Sequence, residues 1–423
     1  MLHAPVVIAA DYAGTFEVGD TSELRARLTS QAAAGQPGQS GIDVYTQPRL
    51  RMRVVTRDGW AFIVGNAPIF TWDDIELGAC SGCFTFYDTG NASVGWHDRT
   101  VSVTLSEDAS GGLYNIAAGP LPQAMPMPGQ MQMPAQGPPA MPPSQQLVPN
   151  QTTFVSSEAT HTVLALQAQL NRVESLSLGV SYLTNGGVDA AAQRYFPEQY
   201  GPRADASFTY ALSRRDQAIT LAYAFATQFT PAQCYDSTTG AVIPVGLCNP
   251  AAQMAQVSEG IRHAVDRETT LSADAGISGS RSRSTDGVPY DERLYPNADV
   301  EITRRFGVHG KSSFLLGASL MPVLDWRTGI VNERLQGHIA LTDALTELVS
   351  FHATVDGSQT VPTDAPLAAS VLSGLAEVTY QSSRTVMFAG GARAWWQQQA
   401  PFGAYSLFLF YFDVTVLAPA LRF

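Results

Sequence analysis

The chain has 423 residues, of which 45% are apolar and 15% charged, and its formal net charge is −12. Soluble domains average about 25% charged residues, so charge is scarce here, and the acidic balance excludes nucleic acid, which demands a clustered basic surface. No run of about 18 consecutive apolar residues occurs, which excludes a transmembrane helix and leaves either a soluble β protein or a barrel that crosses lipid with strands.

Met1-Leu2-His3-Ala4 opens directly into "PVVIAADYAGTFEVG". It has no basic n-region and no apolar core of sufficient length, so an export signal, if used, lies outside this sequence. Period-2 alternation then predicts strands at 5–19, 41–57, 60–72, 82–88 and 93–107. The second of these, "GIDVYTQPRLRMRVVTRD", places Val44, Leu50, Met52 and Val54 on one face and Arg49, Arg51, Arg53 and Arg57 on the other.

Residues 108–151 read as an inserted flexible segment within a single 1–423 domain. Proline at the density of "PLPQAMPMPGQMQMPAQGPPAMPP" prevents both helix and ladder. Its closely spaced thioethers (Met125, Met127, Met131, Met133 and Met141) are soft enough to hold Cu(I). The plain reading is a polyproline-like loop, and no cofactor or metal is expected.

From residue 152 onward thirteen further segments of about ten residues alternate in the same way. "ESLSLGVSYL" sets Leu176, Leu178, Val180 and Tyr182 against Ser175, Ser177 and Ser181, and "RADASFTYALS" sets Ala206, Phe208, Tyr210 and Leu212 against Asp205, Ser207 and Thr209. In "DQAITLAYAFATQF" the greasy face is predicted to be Ile219, Leu221, Tyr223 and Phe225, opposed by Ala218, Thr220, Ala222, Ala224 and Ala226. The polar faces hold small Ser, Thr, Ala and Gly rather than the Lys and Glu of a solvated sandwich, which fits a barrel that is apolar outside and polar within.

Short links (57–59, 171–174, 213–216, 382–385) alternate with long ones (184–202, 230–251, 356–368), the asymmetry of periplasmic turns and outer loops. The expected fold is all-β: a transmembrane antiparallel up-and-down barrel of about eighteen strands. "CFTFYDTG" at 83–90 is the weakest of them, and sixteen is the alternative.

The closing "FLFYFDVTVLAPALRF", with Leu407, Leu409, Leu417, Leu421 and Phe423 at alternate positions and a terminal aromatic, resembles the final strand of Gram-negative outer-membrane β-barrel proteins. Pro419 departs from that pattern. The resemblance implies a bacterial outer-membrane location and an assembly signal at Phe423 and Leu421 read by the barrel-assembly machinery. The architecture resembles general porins and also the eighteen-stranded polysaccharide-export barrels proposed in myxobacteria. It implies outer-membrane lipid as surroundings and a periplasmic polysaccharide-export component as a partner. The expected function is therefore a channel for polar solutes or an exported polysaccharide, the alternative being a non-conducting barrel that displays loops for adhesion or protein contact.

Inside such a lumen the arginine row would attract anions, or brace the wall by pairing with inward Asp43, Asp205, Asp274, Asp299, Glu301 and Glu377. Arg305, Arg334 and Arg393 are further inward arginines, and His338 and His352 fall on inward faces. Cys234 and Cys248 bracket one predicted outer loop and would close it as a disulfide in an oxidising compartment. Cys80 and Cys83 form a lone C-x2-C for which a disulfide is again the expectation. No G-x-S-x-G, phosphate-binding glycine loop or H-E-x-x-H occurs, and the chain is not expected to be an enzyme.

Overall fold

The computed structural model describes residues 12–29, 40–72, 84–115, 154–189, 192–193, 197–230, 250–283, 291–307, 311–324, 329–361, 368–399 and 403–422. They form twenty strands: β1 Tyr12–Thr29, β2 Ser40–Thr56, β3 Trp60–Asn66, β4 Ile69–Trp72, β5 Phe84–His97, β6 Val101–Asn115, β7 Phe154–Gln169 and β8 Glu174–Gly187. Then come β9 Glu198–Ala211, β10 Asp216–Thr230, β11 Ala251–Ala264, β12 Thr269–Arg283, β13 Asp291–Phe306 and β14 Ser312–Leu324. The series ends with β15 Val331–Asp343, β16 Val349–Val361, β17 Ala369–Gln381, β18 Val386–Gln399, β19 Gly403–Leu417 and β20 Leu421–Arg422.

Each strand pairs antiparallel with its sequence neighbours, and β1 pairs with β19 and β20, so the sheet closes on itself. Two staves are interrupted by proline, which has no N–H to offer the ladder. β3 and β4 keep one register against β2 and β5 on both sides of Ala67-Pro68, so they are one stave. The Ala67 carbonyl accepts from the Thr89 hydroxyl at 2.7 Å and from Gln47 Nε2 at 3.3 Å, which satisfies the gap. β19 and β20 are likewise one stave, giving a closed barrel of eighteen.

The final stave does shift register. Leu417 faces Gly19 but Leu421 faces Phe16, so three residues oppose two and Pro419 lies in a one-residue bulge. The bulge resets the alternation. Phe408, Phe410 and Phe412 point outward, Leu407 and Leu409 point into the barrel, and Leu421 beyond the bulge is again outward at 66% exposure. The leucines that share odd numbers in the terminal pattern thus do not share a face.

The expected total of eighteen stands, with boundaries corrected at the N-terminal side. The 5–19 segment is extended at its far end: among the described residues β1 runs from Tyr12 on to Thr29, because a polar lumen accepts "DTSELRAR" as readily as an apolar core would reject it. The 82–88 and 93–107 segments are redrawn as β5 and β6, with the turn at Asp98-Arg99-Thr100 rather than between 88 and 93. β6 continues to Asn115, so the segment drawn from 108 starts eight or more residues too early. The methionine-rich stretch, all four cysteines and Phe423 lie outside the described residues.

β10 is inverted relative to expectation. Tyr223 registers with inward Asp205 and Ala222 with outward Val257, so Ile219, Leu221, Tyr223 and Phe225 face the lumen while the alanines face lipid. Period-2 alternation identifies two faces but not which is which; neighbouring strands decide.

Candidate functional site

The inner wall is the candidate site, and parity along each strand assigns its lining. Eighteen staves about 4.8 Å apart and tilted by about 40° enclose a backbone cylinder roughly 35 Å across, wide enough for an aqueous lumen.

On β2 the alternation holds Arg49, Arg51 and Arg53 on the inner face, with outward Leu50 and Met52 exposed between them. Arg49 donates to Gln47 Oε1 at 3.2 Å, and Arg51 Nη1 lies 3.9 Å from Glu17 Oε2 on β1. Arg57 does not continue the row. It falls in the turn after β2 and stands exposed at the rim. Arg305 is also exposed and close to that rim, on β13 next to its turn. Arg334 is inward on β15, opposite Met321 and Thr360.

At the seam, pairing of β1 with β19 sets Glu23 opposite Asp413 and Arg25 opposite Tyr411. Arg25 forms an ion pair with Glu23 and lies 5.0 Å above the Tyr45 ring. Arg393 lies 4.7 Å above the Tyr411 ring, whose hydroxyl donates to Glu377 at 2.6 Å. Two of the expected residues, Arg393 and Glu377, are therefore joined through Tyr411. That cluster, with Glu23, Arg25 and Tyr45, escaped the sequence reading because β1 had been cut short before it. Asp43 is inward and 1% exposed on β2.

The acidic residues group elsewhere. Asp274 on β12 is directly opposite Asp299 on β13, and Glu301 is one step down the same inner face. The charges acting on Asp299 are those of Asp274 and Glu301, and among the described residues none of these three makes an ion pair with a guanidinium. Asp205 sits on β9, opposite Gly179 on β8. A Cβ on Gly179 would come within 2.3 Å of the Asp205 carboxylate, so glycine makes room for it. His338 pairs with Asp356, and His352 Nδ1 lies 3.1 Å from the Thr342 hydroxyl, all facing the lumen as expected.

Ring closure makes one relation visible that pairwise contacts do not. In an eighteen-stave ring β2 and β12 are nine staves apart in either direction, so they are diametrically opposed. Arg49, Arg51 and Arg53 lie three to seven residues above the short-turn end of β2; Asp274, Asp299 and Glu301 lie five to seven residues above that end of their own strands. A basic wall and an acidic wall thus confront each other at one height. The gap exceeds the ~8–10 Å Debye length of ordinary salt solutions, so neither wall neutralises the other.

Nearer the long-loop end the inner face turns apolar. Tyr45, Ile69 and Tyr87 form one buried cluster, and Leu407 and Leu409 another against Trp395. A third joins Phe225, Phe229, Ala252 and Met254 of β10–β11 to Leu324 and Val331 of β14–β15. These hairpins are separated by β12 and β13, so the end of β14–β15 must reach across their inner faces. It has the freedom to do so because pairing between β13 and β14 stops at Ala298–Leu320. It also has space, because the inward residues of β12 there are the buried Ser278, Ser280 and Ser282. The Tyr295 hydroxyl donates to the Val331 carbonyl at 3.0 Å and ties the bridge down. Among the described residues no group of three or more His, Cys, Asp or Glu is arranged to hold a metal ion.

Among solved structures the chain is similar to the FrpB iron transporter of Neisseria meningitidis, at 10% identity and a TM-score of 0.51 over 91% of this chain and 62% of that one. It is also similar to OpdL of Pseudomonas aeruginosa, at 12% identity and a TM-score of 0.46 over 98% and 99% of the two chains. OpdQ of the same organism gives 10% identity and a TM-score of 0.48 over 96% and 98%. At such identity the likeness speaks to the barrel and not to cargo. No curated protein matches the chain. The family model of the EpsX exopolysaccharide export family matches residues 87–405, from within β5 into β19 and so most of the barrel. The chain belongs to the EpsX exopolysaccharide export family.

Proposed function

We propose that the protein is a passive conduit in the bacterial outer membrane through which an exported polysaccharide leaves the cell, the short turns facing the periplasm and the long loops the outside. The observation that carries this reading is the partitioned lumen of a barrel wide enough to hold water: a guanidinium wall and a carboxylate wall facing each other at one height. Such walls hydrate a polar polymer along its length and bind no single residue tightly, as transit requires. Membership of an exopolysaccharide export family supports the cargo. Nothing in passage asks a side chain to make or break a covalent bond, so no enzymatic role is assigned. The partners of this reading are a periplasmic export component that delivers the polymer, the surrounding outer-membrane lipid, and the assembly machinery that reads the end of the final stave at Leu421 and Phe423.

The apolar bridge across β12–β13 favours a conduit that is narrowed near its outer mouth. Purified protein in planar bilayers tests the proposal: stepwise current is expected, reduced reversibly when the exported polymer is added on the short-turn side. Absence of current in the full chain and also after deletion of 119–149 would overturn the conduit reading in favour of a barrel that only displays its loops.

A further inference from the structure

Six of the short turns are built alike. Asp98 accepts from the backbone N–H of Thr100 and Val101, both at 2.7 Å, and Asp266 from those of Glu268 and Thr269, both at 2.7 Å. Asn171 accepts from Val173 and Glu174, Ser213 from Arg215 and Asp216, Thr346 from Leu348 and Val349, and Ser383 from Thr385 and Val386. In every case a small polar side chain folds back onto the two N–H groups that follow, an Asx- or Ser/Thr-type turn. That leaves the residue directly after it at the tip.

The tip residue is Arg99, Arg172, Arg214, Arg267 and Arg384 in five of the six, and Glu347 in the other. All five arginines are exposed, and among the described residues none forms an ion pair. The remaining two turns add exposed Arg57 and Lys311. Although the net charge of the chain is −12, arginine or lysine thus stands at seven of the eight short turns, while the capping carboxylates of Asp98 and Asp266 are turned back onto backbone N–H groups. The residue before the capping position is repeatedly a large aliphatic: Leu170, Leu212, Val265 and Leu345 are 54%, 56%, 47% and 58% exposed.

We propose that this rim seats the anionic phospholipid headgroups of the leaflet at the short-turn end, each tip guanidinium meeting a phosphate while Leu170, Leu212 and Val265, beside Arg172, Arg214 and Arg267, enter the acyl boundary. Three features select lipid over a soluble acidic partner. Basic residues recur all round the barrel, as an annulus of lipid does and one docked protein does not. Three of the five arginine tips, Arg172, Arg214 and Arg267, have an exposed aliphatic two residues before them, the amphipathic pairing of a membrane interface. Successive turns are two strand spacings, about 10 Å, apart, comparable to the Debye length, so each guanidinium acts on its own headgroup. Arginine suits phosphate because its planar fork donates two hydrogen bonds at once.

The test uses the full chain reconstituted in phosphatidylcholine bilayers, with spin-labelled phosphatidylglycerol or spin-labelled phosphatidylcholine as the probe of the lipid shell. The wild type is expected to enrich the anionic probe, and added salt to reduce that enrichment. The variant R99Q/R172Q/R214Q/R267Q/R384Q is expected to lower it about fivefold or more, on the scale of one interfacial cation's attraction to an anionic leaflet. The corresponding all-lysine variant should retain most of it. If the glutamine variant fails to insert, R172Q/R384Q, which removes two tips from opposite sides of the rim, carries the same test with a smaller loss. A wild-type shell without anionic preference, as a rim serving an acidic protein or the polymer would give, overturns the proposal, and so does a preference that survives in the inserted glutamine variant. The test is independent of whether the barrel conducts.

Discussion

Individual residues of this barrel do tasks that their chemistry announces. Gly59 occupies a turn at φ 86°, where a Cβ would meet the His97 carbonyl oxygen at 2.1 Å, so only glycine fits. Gly59→Ala is expected to destabilise the folded barrel by about 2 kcal/mol, read as a lower urea midpoint for unfolding from lipid vesicles; an unchanged midpoint would contradict the placement. The two backbone N–H groups at each capping aspartate hold the carboxyls of Asp98 and Asp266 below the usual carboxylate range, those of Thr100 and Val101 for Asp98 and those of Glu268 and Thr269 for Asp266. A carboxylate with a depressed native pKa adds stability above its unfolded pKa and loses it as pH falls through the native value. Asp98→Ala and Asp266→Ala should therefore cost stability at pH 7, and the difference from wild type should shrink in acid below about pH 4. A pH-independent difference would show that the charge is not what matters. The inward placement of Arg49, Arg51, Arg53, Arg393 and the six acids was legible from parity alone, whereas their partners were not. Tyr411 between Arg393 and Glu377 depends on strands brought side by side by the sheet.

At the scale of elements, alternation located almost every stave, and it failed where lumen and lipid swap chemical character. β10 carries its bulk inward because its upper half joins the apolar bridge with β14–β15, while small alanines meet the lipid. Spin labels at Ala224 and Phe225, in a background with Cys80, Cys83, Cys234 and Cys248 replaced by serine, separate the two orientations. The label at 224 should be relaxed by oxygen dissolved in the bilayer, the label at 225 should not, and the reverse would restore the orientation expected from hydrophobicity. β1 was shortened for a related reason: Thr21, Glu23 and Arg25 line a polar interior, so their polarity marks a lumen face and not a loop. Pro419 was legible as a defect in the last stave. Its resolution as a bulge that returns Leu421 to the lipid face needed the β1 register.

For the whole molecule, closure of the ring sets which charged walls face each other. In the proposed conduit, with the basic and acidic walls more than a Debye length apart, anions and cations are expected to travel along separate sides with a small net preference. In a salt gradient, R49Q/R51Q/R53Q should move the reversal potential toward cation preference and D274N/D299N/E301Q toward anion preference. Shifts of the same sign, or none in an otherwise conducting barrel, would show that these walls do not face the ion path. The amino-acid pattern alone carries an all-β chain with two chemically distinct strand faces, short turns at one end and long loops at the other, and about eighteen staves with sixteen as the alternative. These are local properties, set by a two-residue period and by turn chemistry. Which face of β10 is wet, which strand ends bridge the lumen and which charges oppose each other are set by pairing between distant strands. Those relations join residues hundreds of positions apart, and they exist only once the first stave has paired with the last.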